Sequence, residues 1–281
     1  MNWRFGRNAK VIVPRRGSDI GAQAWLTETV RALAASMQIY DSIGTGYKEL
    51  RREDPRIAAA LRSALGAATS VVNVGAGAGS YEPRDRAVVA VEPSATMIGQ
   101  RAFDAFPVVR GNADRLPFAD DSFDASLAIL TIHHWKNLYR SLAELRRVAR
   151  EEVVILTWDP AAPGFWLTDY FPDILRIDQR IFPTMDVLSK VLGETTVVKV
   201  LIPSDCSDGF LGAYWSRPEA YLLPDVRQAI STFAKLDDVK PGLIRLREDL
   251  DSGAWEARNG ELRNLANLDL GYRFVVVNLG D

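Results

Sequence analysis

Cysteine is almost absent from this sequence, and long apolar runs are absent altogether. The 281 residues include one cysteine, Cys206, so no disulfide can form within the chain and nothing indicates an oxidising compartment. No stretch of 18 apolar residues occurs, and the first ten residues hold no long apolar run. We therefore expect a cytoplasmic protein with no signal peptide, no transmembrane helix and no membrane partner.

An excess of charge of one sign is also lacking. There are 34 lysines and arginines against 36 aspartates and glutamates, which gives a net charge of -2 at pH 7. Surfaces that bind nucleic acids are usually strongly basic, so we predict no nucleic-acid partner. Histidine is scarce, with only the adjacent His133 and His134, and we predict no metal site.

What the sequence does contain is an alternation of short apolar runs with amphipathic segments. Helices are predicted over residues 54–66, 97–103 and 138–150 by apolar stripes and by capping residues such as Asp54, Ser94 and Asn137. Short buried strands that alternate with helices indicate a parallel sheet with helices on both faces. The predicted strands are Ser70–Val74, Val88–Val91, Val108–Val109, Phe123–Leu130 and Glu152–Trp158.

The alternation stops after Trp158. Residues 160–193 are aromatic-rich, residues 218–252 indicate two helices, and Thr195–Ile202 and Tyr272–Leu279 are strand candidates. We therefore predict an α/β fold with a Rossmann-like, seven-stranded, mostly parallel sheet and a helical cap inserted after strand five. The predicted divisions are an N-terminal arm or helix (1–37), a cofactor-binding core (38–159), a cap and substrate region with strand six (160–260), and a final strand that returns to the sheet (261–281).

A glycine-rich loop follows the first predicted strand. Gly75, Gly77 and Gly79 lie there in G-x-G-x-G spacing, and Glu92 ends the second strand. Glycines let a backbone approach a ligand closely, and a carboxylate at that place can accept hydrogen bonds from both ribose hydroxyls of an adenosine. Only residues 80–87 separate the loop from the next strand, so a long helix that could hold a pyrophosphate is missing. This spacing disfavours a dinucleotide cofactor.

These segments resemble the class I S-adenosylmethionine-dependent methyltransferases, and most closely their type 11 group of small-molecule enzymes. The resemblance covers about residues 38–160 and rests on the glycine loop, Val91-Glu92-Pro93-Ser94, Gly111–Phe118, Ser122–Asp124 with Leu130–Trp135, and an upstream lid-like segment around Tyr40–Tyr47. It implies S-adenosylmethionine as cofactor and a last strand antiparallel to the others. The residues that it implies for cofactor binding are Tyr40, Tyr47, Arg51, Asn73, Gly75, Ala76, Gly77, Gly79, Glu92, Pro93, Met97, Asn112, Ala113 and Leu130.

Two positions depart from the pattern of this group. Asn73 and Asn112 stand where its members usually carry acids. The amide oxygen of Asn112 can still accept a hydrogen bond from the adenine amine, whereas Asn73 can support the loop but brings no charge to the cofactor's ammonium group.

The resemblance implies methyl transfer to an oxygen or nitrogen atom of a small molecule, for example in secondary metabolism. His133 is the candidate general base, although a structural role for it is at least as well supported. Candidates for the acceptor pocket are Trp158, Trp166, Tyr170, Tyr214 and Trp215, each of which could equally belong to a core of the cap. The alternatives are a non-catalytic S-adenosylmethionine-binding regulator, an NAD-dependent oxidoreductase, and a tRNA or protein methyltransferase, which the balanced charge disfavours.

Overall fold

The computed structural model describes residues 51–280, and within them seven strands form one mixed sheet in the order β3-β2-β1-β4-β5-β7-β6. The first five strands are parallel, whereas β7 is antiparallel to both of its neighbours, β5 and β6. The predicted seven-stranded Rossmann-like fold is confirmed. The strands are β1 (Ser70–Val74), β2 (Ala87–Glu92), β3 (Val108–Arg110), β4 (Phe123–Ile129), β5 (Ala149–Trp158), β6 (Thr196–Pro203) and β7 (Asn267–Asn278).

Helices cover both faces of this sheet. The α-helices are α1 (Pro55–Ala64), α2 (Ala95–Gly99), α3 (Leu138–Val148), α4 (Leu167–Tyr170), α5 (Pro172–Ile181), α6 (Met185–Leu192), α7 (Pro224–Gln228), α8 (Lys240–Asp251) and α9 (Ala254–Asn259). Short 3₁₀ helices span Ile132–His134, Leu211–Tyr214, Pro218–Leu222, Phe233–Lys235 and Gly260–Asn264. None of the helices in residues 51–280 has the length and apolarity that a membrane span needs.

The first helix forms as its sequence predicts. The carboxylate of Asp54 accepts a hydrogen bond from the backbone N–H of Arg56 (2.9 Å), and Pro55 occupies the first turn, where no N–H is needed. Ile57 and Leu61 are buried on one side of the helix. This side packs on the sheet and fixes the start of the chain that leads into β1.

The second helix is shorter than the predicted span of 97–103. It begins after Ser94, whose hydroxyl accepts from the N–H of Met97 (3.2 Å), and it ends at Gly99. Phe103, which the apolar spacing assigned to this helix, is fully exposed and contributes nothing to packing. The prediction was wrong beyond Gly99 because no core lies under that part of the stripe.

Two hydrophobic clusters lie on the two faces of the sheet. On one face, Leu142 and Leu145 of α3 pack with Leu188 and Leu192 of α6. On the other face, α1 and the aromatic segments after β5 share one continuous cluster with β1, β4 and β5. The helical segments outside the parallel core fall into two insertions, one between β5 and β6 and one between β6 and β7.

The prediction of two helices within residues 218–252 was wrong for the first of them. Only α8 is a helix of several turns, and the chain before it is broken into short turns. Pro218 and Pro224 each start a new short helix, because proline lacks an N–H and fixes its own φ. The final strand is also longer than predicted and begins at Asn267, with Gly271 in the left-handed region (φ +89°) inside it.

The predicted arm at 1–37 and the lid-like segment around Tyr40–Tyr47 lie outside the described residues.

Candidate active site

A cavity of about 260 Å³ opens at the carboxyl ends of β1, β2, β4 and β5. Parallel α/β sheets bind ligands at this edge, because the loops that follow the strands converge there. The loop end of the cavity includes Asn73, Gly75, Gly77, Glu92, Met97 and Ala113. The cap end includes Trp158, Asp178, Phe182, Phe210, Thr232 and Tyr272.

The glycine loop at the loop end is held in a conformation that excludes larger residues. Gly75 (φ +74°) donates its N–H to the carbonyl of Val91 (2.8 Å), and a Cβ at this position would lie 2.2 Å from Oγ1 of Thr131. Gly77 (φ +52°) is also left-handed. The loop therefore needs glycine for both its backbone angles and its close approach to the loop after β4.

Glu92 closes the loop from the neighbouring strand. Its Oε2 accepts from the N–H of Gly77 (2.8 Å), and its Oε1 accepts from the N–H of Ser94 (2.9 Å). Burial raises the pKa of this carboxyl, while the two backbone N–H groups and Arg101 oppose the shift. The carboxylate is fixed at the cavity wall with lone pairs available for hydroxyl groups of a ligand.

Behind the loop, three buried polar side chains are linked by a hydrogen bond and an ion pair. The Nδ2 of Asn73 donates to Oε1 of Glu82 (3.3 Å), and Glu82 forms an ion pair with Arg101 (2.7 Å) in which both side chains are almost fully buried. Asn73 is 1% exposed, and its Oδ1 has no hydrogen-bond partner among the described residues. A second carboxylate at position 73 would face Glu82, so an amide suits this position better than an acid.

The loop after β4 forms the middle of the wall. Leu130 adopts a left-handed backbone (φ +46°), which is uncommon outside glycine, and the 3₁₀ helix of Ile132–His134 follows. His133 stacks on Phe182 with ring centroids 4.0 Å apart. Burial lowers the pKa of His133 well below its ordinary value, with smaller contributions from His134, Lys235 and Arg51. His133 is therefore neutral at physiological pH and a weak base.

The cap end combines aromatic walls with a buried carboxylate. Trp158 packs against Phe182 (5.6 Å between centroids) and donates its Nε1–H to the carbonyl of Leu270 (2.9 Å). Phe210 and Tyr272 form a second pair, 4.7 Å apart. Asp178 is 5% exposed and lines the same space. Such a cavity can surround a flat apolar molecule and offer it one polar contact.

Most of the predicted site residues meet at this cavity. Those that line it are Arg51, Asn73, Gly75, Ala76, Gly77, Glu92, Pro93, Met97, Ala113, Leu130 and His133. Gly79 and Asn112 do not line it: Gly79 packs next to the guanidinium of Arg101, and Asn112 is exposed. Tyr40 and Tyr47 lie outside the described residues.

The aromatic candidates for the acceptor pocket were mostly wrong. Only Trp158 lines the cavity, whereas Trp166 lies 5.3 Å from Trp255 and 5.6 Å from Tyr221 in the core of the cap. Cavity residues that sequence reasoning missed include Asp178, Thr232 and Tyr272. A signal for one of them exists, because Asp178 interrupts the apolar stripe of α5 one turn after Ile174.

Known proteins share both the sequence pattern and this architecture. A family model for the methyltransferase domain matches residues 72–157. A solved structure from Anabaena variabilis ATCC 29413, described as a methyltransferase of an antibiotic biosynthesis pathway, is 34% identical with a TM-score of 0.76. The match covers 82% of this chain and 99% of that chain. The chain belongs to the class I S-adenosylmethionine-dependent methyltransferases.

Curated relatives match this methyltransferase over shorter stretches. A chloroplastic 2-methyl-6-phytyl-1,4-hydroquinone methyltransferase of Oryza sativa subsp. japonica is 32% identical over 75 residues, which are 27% of this chain and 22% of the relative. A tRNA (carboxymethyluridine(34)-5-O)-methyltransferase of Schizosaccharomyces pombe is 27% identical over 121 residues, 40% of this chain and 50% of the relative. The chain thus spans about a fifth to a half of these relatives.

The loop end of the methyltransferase fits its cofactor, S-adenosylmethionine. The unpartnered Oδ1 of Asn73 is a buried acceptor, and Gly75 keeps the loop free of a Cβ. The cofactor contains no phosphate, so the loop does not need a long helix after it. Within residues 51–280, no group of three or more His, Cys, Asp or Glu side chains could hold a metal ion.

Proposed function

We propose that this methyltransferase transfers a methyl group to an oxygen or nitrogen atom of a small, largely apolar molecule. The observation that carries the proposal is the cap end of the cavity, where aromatic side chains and one carboxylate continue directly from the glycine loop. A pocket of this kind buries a small ligand on several sides. The balanced net charge of -2 supports an acceptor other than a nucleic acid.

The predicted cofactor residues take distinct parts in this proposal. Glu92 accepts from the ribose hydroxyls, Asn73 accepts from the ammonium group of the methionine moiety, and Met97 packs near the adenine. When bound, S-adenosylmethionine supplies an electrophilic methyl carbon attached to a positively charged sulfur. The protein then mainly has to align the acceptor atom with that carbon and exclude water.

His133 contributes chiefly by positioning in this proposal. Its stacking on Phe182 ties the loop after β4 to the cap, and both rings lie on the cavity wall. Because the pKa of His133 lies far below neutrality, its imidazole is a weak base and removes a proton from a hydroxyl group inefficiently.

Isothermal titration calorimetry tests the cofactor part of the proposal. We expect micromolar binding of S-adenosylhomocysteine, on the order of -8 kcal/mol, and no binding of NAD⁺. Glu92→Ala should weaken binding at least tenfold, because two hydroxyls lose a charged acceptor. The control is Glu151→Ala, an exposed glutamate in β5. Tight binding of NAD⁺ with none of S-adenosylhomocysteine would contradict the proposal.

Transfer of a radiolabelled methyl group tests the acceptor part. Phenols, aryl amines and bulk tRNA are offered separately to the protein with labelled S-adenosylmethionine. We expect label in the small-molecule fractions and none in tRNA. Label in tRNA alone would overturn the small-molecule assignment, and intact cofactor binding with no transfer to any acceptor would favour a regulator.

A further inference from the structure

One carboxylate at the cap end of the cavity, that of Asp178, forms no ion pair within residues 51–280, although Lys235 interacts with it electrostatically. Asp178 is on the inner side of α5, one turn after the buried Ile174, and its carbonyl accepts from the N–H of Phe182 (2.9 Å). Phe182, whose ring stacks on His133, follows one turn later, and both residues line the cavity. Asp178 therefore faces the acceptor space from the cap, opposite the loop after β4.

The hydrogen bonds of this carboxylate are incomplete. Oδ1 accepts from the hydroxyl of Thr232 (2.9 Å), and among the described residues nothing donates to Oδ2. A buried carboxylate usually accepts several hydrogen bonds, because its desolvation is otherwise costly. The free oxygen is thus an acceptor for a donor group that a ligand brings into the cavity.

The charges around the cavity determine which donor fits. Lys235 lies close enough to interact electrostatically with Asp178, His133 and His134, and the guanidinium of Arg51 lies on the wall, paired with Asp208 (2.7 Å). Because Arg51 is already paired with Asp208, Lys235 is the cation that acts here, and it disfavours an acceptor that is itself positively charged. It favours an oxygen atom that acquires negative charge when it loses its proton.

We propose that Asp178 takes the proton from a hydroxyl group of an aromatic acceptor, so that the methyltransferase makes an aryl methyl ether. This inference rests on the proposed function and names its substrate class. The O–H bond of the acceptor breaks, its proton forms an O–H bond to Oδ2 of Asp178, and its electron pair stays on the acceptor oxygen. That oxygen forms the new bond to the methyl carbon as the carbon–sulfur bond breaks with its electron pair on sulfur. The proton then leaves Asp178 for water.

The titration of the surrounding groups supports this role. Burial raises the pKa of Asp178 to about 6, so the side chain is an ionised but competent base at neutral pH. The other titratable groups around Asp178 do not have a pKa that would make them effective bases at neutral pH. The pKa of His134 is lowered to about 3, that of His133 is also lowered, and burial raises the pKa of Tyr272. Lys235 has its pKa lowered by burial, against the opposing effect of Asp178.

Matched probes test the assignment in the presence of saturating S-adenosylhomocysteine. Phenol carries the hydroxyl, anisole lacks its proton, and benzylamine is a cation of similar size. Binding is followed by nuclear magnetic resonance titration at pH 7.5 and pH 5. We expect phenol to bind about tenfold more tightly than anisole or benzylamine at pH 7.5, and this preference to shrink at pH 5 as Asp178 becomes protonated.

Asp178→Asn is the decisive variant. Thr232 can still donate to the amide oxygen, which leaves the Nδ2 donor facing the ligand and reverses the polarity of the contact. We expect the preference for phenol to disappear. The control is Asp173→Asn, an exposed aspartate on the same helix, which should keep it. A preference that survives in Asp178→Asn, equal binding of phenol and anisole by the unaltered protein, or tighter binding of benzylamine would overturn the inference.

Cofactor affinity separates this inference from the proposed function. Asp178→Asn should bind S-adenosylhomocysteine within twofold of the unaltered protein, because Asp178 lies at the cap end. Failure of the unaltered protein to bind S-adenosylhomocysteine would contradict the proposed function itself. Normal cofactor binding together with an unaltered phenol preference in the variant would contradict the role of Asp178 alone.

Discussion

Replacement of Asp178 by asparagine should make the protein more stable at neutral pH. The pKa of this carboxyl is raised from 3.8 to about 6 by burial, so the folded state retains a proton that the unfolded chain has already lost. A folded-state pKa above the unfolded value destabilises the fold progressively as the pH rises from about 4 to above 6. A difference of about 2 units corresponds to about 3 kcal/mol at pH 7.5, and to almost nothing below pH 4.

The asparagine variant removes this penalty but loses a charged hydrogen bond. The hydrogen bond from Thr232 then joins two neutral groups and is weaker. This loss offsets about 1 kcal/mol of the gain in stability. The net expectation is a free energy of unfolding about 2 kcal/mol higher at pH 7.5 and unchanged or slightly lower at pH 4.

Urea unfolding followed by tryptophan fluorescence measures this difference at pH 4, 5, 6 and 7.5. Asp173→Asn is the control for a carboxylate on the surface of the same helix, where little change is expected at any pH. A variant that is less stable at pH 7.5, or whose gain does not depend on pH, would refute the assignment of Asp178 as a buried, poorly compensated carboxylate.

Three further variants test the loop end and the middle of the cavity wall. Gly75→Ala should weaken binding of S-adenosylhomocysteine more than tenfold in calorimetry, because its Cβ meets Thr131, whereas Gly99→Ala, with open space around it, should not. Arg101→Met should lower the free energy of unfolding in urea by about 3–5 kcal/mol, since it leaves the buried Glu82 without its partner, and a smaller loss would mean that water reaches the pair. His133→Gln should lower kcat less than tenfold without altering cofactor affinity, and the loss from its pH–rate profile of an ionisation that the unaltered protein shows would contradict its positioning role.

The loop end was predictable because its chemistry is local in sequence. Gly75 and Gly77 directly follow β1, and Glu92 ends β2. In a parallel sheet, neighbouring strands bring their carboxyl ends to the same edge, so spacing along the chain is enough to place these residues together. Position 73 carries an amide where related enzymes usually carry an acid. The neighbouring Glu82, which accepts a hydrogen bond from Asn73, supplies a carboxylate at this place instead.

The cap end could not be predicted in the same way. Asp178, Phe210 and Tyr272 come from three segments that are separated by β6 and by long irregular stretches. Trp166 and Tyr221 are aromatic, like several residues that line the cavity, yet they pack with each other. Whether an aromatic side chain fills a core or lines a pocket depends on the relative placement of these segments, which no local pattern encodes.

The position of β7 has a consequence for the synthesis of the protein. β7 lies between β5 and β6 in the sheet, although β5 ends about 110 residues before β7 begins (158 to 267). At ribosomal rates this separation corresponds to a delay of roughly 5–20 s, during which β5 presents an unpaired apolar edge. β6 leaves the ribosome earlier than β7 but can take its native place only through pairing with it. The nascent chain therefore passes through an interval in which this edge is open to pairing with other chains, and Tyr272 completes the cavity wall only when that interval ends.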